Sequence, residues 1–515
     1  MTNRDLDAVW TYHNATKHSS WSVRHDSHSL DWANQPMPFK IYPTLPPLPL
    51  PREFPQPAMP ALSAIAATEN TPAAAVLPDL PRLAALLYFS AGITKRRTHA
   101  GREFFYRAAA CTGALYEVEL YLVCADLPDL PAGIYHFGPG DFALRQLRSG
   151  DFTGALVRST GAEPAVQHAP VTLVCTGTYW RNAWKYQARS YRHFGWDNGT
   201  ILANLLAMCA ALALPARVVL GFEDAMVNRL LGLDTQREVA ISLVALGHVP
   251  EASAELPAEP PQELPSLSLE TLPLSSSEVD YPAMRAMHEA SELHSEREAA
   301  EWRGALQENA PAEILGPCVP IAPLAEDQLA PDPVGEVILR RGSTRDFARS
   351  SITFAQLGTL LDRSTRGLPA DFPPLNDLYL IAHAVDGLAP GAYVFHRERS
   401  LLECLKEGEF RDEAGYLGLE QALPADASVA IFFLADLHRI LDRFGNRGYR
   451  AVQLEAGIVG GKLYLAAYAQ RLGSTGLTFY DDDVIKFFSP HAAGKSAIFL
   501  MAAGKSRKLR SISGS

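Results

Sequence analysis

No run of about 18 consecutive apolar residues occurs in this sequence, although a membrane-spanning helix needs one. The chain is therefore predicted to have no membrane partner. The first residues also lack the basic-then-apolar order of a secretory signal, so we expect a cytoplasmic location. The formal net charge of -11 disfavours a nucleic-acid partner, because phosphate backbones are bound by basic surfaces.

The six cysteines are scattered, and no C-x-x-C pair is present. Zinc sites and disulfide frameworks usually show close, regular cysteine spacing, so we predict neither a metal site nor disulfides. The cysteines are interpreted as small, mostly buried apolar residues. No G-x-G-x-x-G follows a predicted strand, which argues against a separate Rossmann domain.

The chain of 515 residues is too long for one ordinary core, and it contains the same unit twice. Identical residues recur at a constant separation, which is 258 positions for Gly133 and Gly391. The repeated positions are Gly133, Tyr135, Gly150, Phe152, Tyr191, Arg192 and Gly199, which return as Gly391, Tyr393, Gly408, Phe410, Tyr449, Arg450 and Gly457. A constant separation over so long a stretch indicates a duplication.

Composition divides the chain into four parts. Residues 1–60 form a Pro-rich arm that is predicted to be extended and polyproline-like, and residues 61–250 form the first unit. Residues 251–332 are a linker in which the charged stretch 281–307 predicts a helix, and residues 333–515 form the second unit. The arm contains four histidines at spacings that favour packing over metal binding, namely His13, His18, His25 and His28.

Hydrophobic patterns follow the same order in both units: a helix, a strand, a hairpin, a strand, a long apolar helix and a final strand. This order predicts an α+β fold with helices segregated against a largely antiparallel sheet. The long helices, predicted from Ile201 to Leu214 and from Ile458 to Arg471, carry little charge and should be buried on all sides. We expect them to pack together in an intramolecular pseudo-dimer, and further homo-oligomerisation is left open.

Two basic clusters stand out in this acidic chain. Arg341, Ser343 and Arg345 form an R-x-S-x-R turn, and Lys505 and Arg507 follow the last predicted strand. Guanidinium groups and a hydroxyl in one turn suit a phosphate dianion, with about 1.5–3 kcal/mol from each charge-assisted bond. Spacing alone does not distinguish this site from a solvated basic turn, but the second cluster favours an anionic ligand.

Several segments resemble the FMN-dependent nitroreductase family, and within it the SagB-type dehydrogenase branch. They are RRGSTRDF and GKSR in the second unit, RAAACTGALYEVELYLV in the first, YHNATKHS from Tyr12, LLYFSAGITKRR from Leu86 and GLTFYDDD from Gly476. The resemblance covers nearly the whole chain apart from the linker. It implies that the R-x-S-x-R and K-x-R groups bind FMN from one unit, while a P-S-A-G loop of the other unit covers the flavin.

The two units depart from this family pattern at different places. Aligned on their first helices, the first unit has Ala67, Glu69 and Thr71 in place of the phosphate ligands, and an acid there would repel a dianion. The second unit lacks the Gly-containing loop and about sixteen residues before it. The loop that remains, in the first unit, consists of Ala110, Cys111, Thr112 and Gly113. One composite site and one FMN per chain are therefore predicted.

Further residues are assigned through the same resemblance. Lys185 and Tyr186 match a Lys-Tyr pair implicated in proton abstraction in azoline-oxidising members of the branch; the alternative is an amphipathic helix with a snorkelling lysine. Thr478 and Phe479 correspond to a segment whose backbone faces the N5 side of the flavin. The run 481–483, three aspartates, is interpreted as a helix cap rather than a metal site.

The predicted function is an FMN-dependent oxidoreductase that oxidises an azoline-like or peptide-derived substrate at a site between the two units. One alternative is an NAD(P)H-dependent nitro or quinone reductase, in which NAD(P)H stacks directly on the flavin because no separate nucleotide domain is predicted. Another is a catalytically silent flavin-binding or scaffold protein within a biosynthetic complex.

Overall fold

A computed structural model describes residues 2–67, 74–99, 101–249, 264–304, 306 and 314–507. Up to the end of the first unit, the helices and strands in chain order are α1 (Leu6–Ala15), α2 (Ser20–His25), β1 (Leu48–Pro49), α3 (Ala61–Ala66), α4 (Leu80–Ala91), β2 (Ile93–His99), β3 (Arg102–Arg107), β4 (Val118–Cys124), β5 (Gly133–Gly138), β6 (Ala143–Ser149), α5 (Thr153–Ser159), α6 (Pro164–Gln167), β7 (Val171–Thr178), α7 (Tyr179–Tyr186), α8 (Ser190–Ala211), β8 (Ala216–Val219), α9 (Asp224–Leu231) and β9 (Glu238–Leu246).

The linker and the second unit continue this series. Their elements are α10 (Pro282–Ala290), α11 (Glu296–Trp302), β10 (Cys318–Pro320), α12 (Val334–Arg340), β11 (Ile352–Thr353), α13 (Phe354–Thr365), β12 (Asp377–Ala382), β13 (Val385–Asp386), β14 (Gly391–His396), β15 (Leu401–Glu407), α14 (Arg411–Leu417), α15 (Ala422–Asp426), β16 (Val429–Ala435), α16 (Leu437–Phe444), α17 (Arg447–Ala469), β17 (Gly473–Leu477), α18 (Asp481–Phe488) and β18 (Ser496–Gly504).

Each unit is built on one antiparallel sheet with helices packed against it. The strand order is β1-β6-β5-β4-β7-β9-β8 in the first unit and β10-β15-β14-β12-β16-β18-β17 in the second, and all neighbours in both sheets are antiparallel. Strands β5, β6 and β9 return 258 positions later as β14, β15 and β18. The predicted α+β fold is confirmed.

The long helices α8 and α17 cross in direct backbone contact, as the predicted pseudo-dimer requires. A Cβ atom on Gly199 would lie 2.4 Å from the backbone of Gly457, so only glycine allows this approach. Both helices begin eleven residues earlier than predicted, at Ser190 and Arg447. The prediction was too short because the polar first turns are buried in ion pairs between the units instead of facing water.

Two such clusters of buried ion pairs connect the two units. Arg189 and Arg192 bind Asp481 at 3.1 and 2.7 Å, and Arg447 and Arg450 bind Asp224 at 2.5 and 2.8 Å. Burial alone would raise the pKa of Asp224, but Arg447 and Arg450 lower it below its ordinary value. The three aspartates form the first turn of α18, as predicted for a helix N-terminus, but the residue at the cap position is Tyr480. The Asp481 carboxylate pairs with arginines of the first unit.

The arm is less extended than predicted. It contains α1 and α2, and within the Pro-rich stretch 40–57 the short strand β1 pairs with β6. The single linker helix predicted over 281–307 is two helices, α10 and α11, and Gln307 lies outside the described residues. No described helix combines the length and the apolar character that crossing a bilayer demands.

Candidate functional site between the two units

A cavity of about 680 Å³ lies between the two units. The first unit contributes the 110–113 loop, Lys185 and Tyr186, and the second contributes Ser343, Arg345 and Thr478. The structure thus brings together most of the residues that the sequence singled out. Arg341, Phe479, Lys505 and Arg507 are not among the residues that line it.

Tyr464 of α17 organises the second-unit wall of the cavity. Its hydroxyl lies 3.2 Å from Ser343 Oγ and accepts a hydrogen bond from Gly476 N at 2.7 Å. The segment after α12 also runs beside β17, since Thr344 N donates to Ser474 O at 2.9 Å. The R-x-S-x-R turn is therefore held between a long helix and the edge strand of the sheet.

The two basic clusters of the second unit are neighbours in space. Ala348 N donates to Lys505 O at 2.9 Å, and Arg507 N donates to Asp346 O at 3.1 Å. Arg345 is exposed, and among the described residues no carboxylate forms a salt bridge with it. Arg507 is only weakly paired, with its Nε 3.4 Å from Asp346 Oδ1. Positive charge is thus concentrated beside the cavity without full neutralisation.

Arg341 has a different position from Ser343 and Arg345. Its Nη2 donates to the carbonyl of Ala108 at 2.8 Å, and its guanidinium lies over the Tyr464 ring at 5.5 Å. This arginine links the second unit to the backbone just before the 110–113 loop. In this arrangement it positions the loop rather than facing the cavity.

Gly113 in the loop requires glycine for two reasons. Its φ of 65° is left-handed, and a Cβ atom there would lie 2.9 Å from the hydroxyl of Tyr186. The rest of the loop is anchored to α8, because Thr112 N donates to Asp197 at 2.9 Å and Thr200 Oγ1 donates to Ala110 O at 2.6 Å. The backbone of the loop is thereby held against the cavity.

A buried acidic pair that the sequence did not reveal lies beneath this loop. The Cys111 thiol is 3.4 Å from Glu117 Oε2 and 3.3 Å from Asp197 Oδ2. Burial, and then the proximity of Asp197, raises the pKa of Glu117 well above its ordinary value, and burial also raises the pKa of Asp197. Since Thr112 already donates to Asp197, we interpret Glu117 as the protonated member of the pair.

We expect Glu117→Gln to be more stable than the unmodified chain at pH 8, by about 1–3 kcal/mol. The raised folded-state pKa of Glu117 contributes stability below about pH 4.5, its value in the unfolded chain, and this contribution is lost as pH rises toward the folded-state pKa. Urea unfolding at pH 5 and pH 8 measures the difference, which should widen with pH. Glu301→Gln, at an exposed carboxylate, is the control. If the free energy of unfolding depends on pH in the same way in both variants, Glu117 is not the protonated member of the pair.

Lys185 and Tyr186 lie at the end of α7 and have opposite pKa shifts. Burial, and then the charge of Arg345, lowers the pKa of Lys185. Burial, and then Asp197, raises the pKa of Tyr186. Lys185 Nζ lies 5.2 Å from the centre of the Tyr186 ring. The shift raises the neutral fraction of Lys185 at a given pH, while the Tyr186 phenol stays protonated and can donate a hydrogen bond.

Thr478 and Phe479 lie in different environments at the cavity wall. Thr478 lines the cavity, and its Oγ1 is buried without a hydrogen-bond partner among the described residues. Phe479 is fully buried, under the guanidinium of Arg189 at 5.4 Å. Thr16, Lys17 and His18 also line the cavity; they belong to the family-like segment YHNATKHS but were not predicted as site residues. Trp196 and Tyr464 of the long helices line it as well, and no motif in the sequence marks them.

At the pseudosymmetric position the loop of the second unit pairs with β8, and a separate cavity of about 620 Å³ lies beside this contact, lined by residues that include Arg217, Gly247 and Asp371. Val218 of β8 is the counterpart of Gly476, and its N–H donates to Pro369 O at 2.8 Å while Asp371 N donates to Val218 O at 3.1 Å. A Cβ atom on Gly367 would lie 2.0 Å from the carbonyl of Ala67. The shortened loop of the second unit therefore bonds directly to the first. Glu69 and Thr71 lie outside the described residues.

The comparisons with known proteins agree with this architecture. The nitroreductase family profile matches residues 96–248 and 338–504. A crystal structure from Anabaena variabilis, provisionally assigned as a nitroreductase, has a TM-score of 0.76 at 25% identity and covers 97% of this chain and 99% of its own. A Methanocaldococcus jannaschii protein with the same provisional assignment is 27% identical over 161 residues, which are 29% of this chain and 80% of that protein.

With two matched segments that together span more than half of its length, the chain belongs to the nitroreductase family. Members of this family are generally flavin-dependent oxidoreductases. The prediction of two tandem nitroreductase domains is confirmed.

Proposed function

We propose that the chain binds one FMN in the cavity between its two units and acts as an oxidoreductase of SagB-type character. The observation that carries this proposal is one cavity shared by the Ser343–Arg345 turn of the second unit and the 110–113 loop of the first. At the equivalent position, the backbone of Val218 is already hydrogen-bonded to Pro369 and Asp371, which supports a single flavin per chain.

The residues present fit FMN. The cavity of about 680 Å³ is within the range of cofactor pockets. Ser343 and Arg345 would hold the phosphate, with Lys505 and Arg507 adding positive charge nearby. Gly113 permits close approach of a flat ring, and the unpartnered Thr478 hydroxyl offers a polar contact. The bound flavin would supply hydride acceptance and the return of electrons to an acceptor.

Lys185 and Tyr186 would take part in proton transfer and substrate orientation in this reaction. A neutral lysine can accept a proton from a substrate carbon or nitrogen, and the lowered pKa of Lys185 increases its neutral fraction. Tyr186, with its raised pKa, would orient the substrate by donating a hydrogen bond. This division of roles, together with the SagB-type sequence motifs, supports oxidation of an azoline-like or peptide-derived substrate.

Reconstitution of the full chain with FMN tests the site itself. We expect one flavin per chain, measured by flavin absorbance against protein concentration after removal of unbound FMN. The physical reason is that the backbone at the second position is already hydrogen-bonded around Val218. Two flavins per chain would overturn the single-site proposal, and a protein that takes up none would support the scaffold alternative.

Replacement of Lys185 tests the proton-transfer role. Lys185→Ala should lower kcat about 10²–10⁴-fold, the usual contribution of a positioned acid or base, with FMN affinity changed less than about 3-fold. Arg443→Ala is a matched control, because Arg443 occupies the equivalent position in the second unit. Unchanged oxidation of every accepted substrate would remove Lys185 from the mechanism. Rapid anaerobic bleaching of the flavin by NADPH would favour the reductase alternative instead.

A further inference from the structure

We infer that His396, Glu403 and His491 of the second unit form a binding site for a divalent transition-metal ion of the zinc class. The three residues come from the end of β14, from β15 and from the loop after α18. None of them lines the cavity between the units. The inference is therefore independent of the flavin proposal.

The three ligand atoms already converge. Glu403 Oε2 is 2.7 Å from His396 Nε2 and 4.0 Å from His491 Nε2, and all three ligand atoms lie within 4.8 Å of one another. Around a tetrahedral zinc ion with bonds of about 2.0–2.1 Å, ligand atoms are separated by roughly 3.3 Å. Small side-chain movements are enough to close the site, and two histidines with one glutamate match a known zinc ligand set.

The sheet holds these ligands through a second layer of hydrogen bonds. The Tyr379 hydroxyl lies 2.8 Å from His491 Nδ1, which leaves Nε2 facing Glu403. Glu403 Oε1 accepts hydrogen bonds from the amides of Leu315 and Gly316, each at 2.8 Å. Such partners on the atoms that do not bind metal are typical of metal ligands, because they fix the ring tautomer and orientation.

Charge and exposure also suit a cation. The Glu403 side chain is fully buried beside the two histidine rings. The nearby Lys495 is paired with Asp377. With side chains 12% and 19% exposed, the two histidines leave room for water as a fourth ligand.

A second convergent group, Cys111 with Glu117 and Asp197, is a weaker candidate. Its thiol donates to both acids, and Asp197 is already occupied by Thr112. It nevertheless provides the necessary control, because a thiolate ligand gives a different spectroscopic signature from imidazole and carboxylate.

The test uses the full chain, stripped of metal with a chelator and titrated with Zn²⁺ by calorimetry. We expect the unmodified chain to bind one Zn²⁺ ion tightly. The affinity for Zn²⁺ should fall at least about 100-fold in Glu403→Gln and in His491→Gln, and about 10-fold in Tyr379→Phe. Cys111→Ser and His25→Gln, an exposed histidine of the arm, should bind as the unmodified chain does. Unchanged affinity in Glu403→Gln or His491→Gln, or loss of binding in Cys111→Ser, would overturn the inference.

Co²⁺ bound to the unmodified chain gives a readout that does not depend on whether a variant folds. Ligation by His396, Glu403 and His491 predicts d–d bands without a thiolate-to-cobalt charge-transfer band. A strong charge-transfer band would place the metal at Cys111, and the absence of any bound cobalt would remove the site.

Discussion

Asp224→Ala is expected to lose about 3–5 kcal/mol of the free energy of unfolding. The carboxylate is fully buried and is the only described acidic partner of Arg447 and Arg450. Its removal leaves two guanidinium groups inside the protein with no counter-charge, and the desolvation cost of both is no longer offset. Urea unfolding followed by far-UV circular dichroism measures the loss as a shift of the midpoint.

The control for this substitution is Asp482→Ala. Asp482 also pairs with a cation, Lys17, but its side chain is 66% exposed, so the expected change is less than about 1 kcal/mol. If both variants unfold at similar urea concentrations, the buried cluster at Asp224 does not stabilise the packing of the two units.

Arg345→Ala is expected to weaken FMN binding by about 10–100-fold. One charge-assisted hydrogen bond to a phosphate contributes about 1.5–3 kcal/mol, and Arg345 has no competing carboxylate partner among the described residues. Fluorescence titration of the flavin at low and at physiological salt measures the affinity. The loss should be larger at low salt, where charges are less screened.

Arg349→Ala is the matched control for the flavin prediction. Arg349 lies on the same segment and is also exposed, but it pairs with Asp426 at 2.5 Å and does not line the cavity. Its removal should leave FMN affinity within about 2-fold, since no contact with the ligand is lost. Equal affinity of the Arg345→Ala and unmodified chains would place the phosphate elsewhere.

Much of the fold follows from local patterns. Strands β4 and β12 lie where alternating and apolar runs predict them, because side-chain period and β-propensity act over a few residues. The starts of α8 and α17 were missed, since the apolar pattern ends before the polar turns that contain Arg192 and Arg450. Those turns are buried because Asp481 and Asp224 of the other unit pair with them. The helices α1 and α2 were missed because the prolines of the stretch 40–57 favoured an extended conformation for the whole arm.

Some residues of the candidate site could also be predicted from the sequence, and others could not. Ser343, Arg345 and the 110–113 loop carry motifs that a sequence comparison can find. Glu117 and Asp197 carry no such signal, because an acid in the sequence does not show whether it will be buried beside another acid. Arg341 belongs to the motif but donates a hydrogen bond to the backbone of Ala108. This contact depends on how the two units pack together.

The amino-acid sequence by itself determined the duplication, the antiparallel α+β units and the loss of a different motif from each half. These are properties of residue order and spacing. Only the tertiary structure decided which charges meet and which buried acid keeps its proton. Those outcomes depend on desolvation and on distances between residues that are far apart in the chain, and no local pattern encodes either quantity.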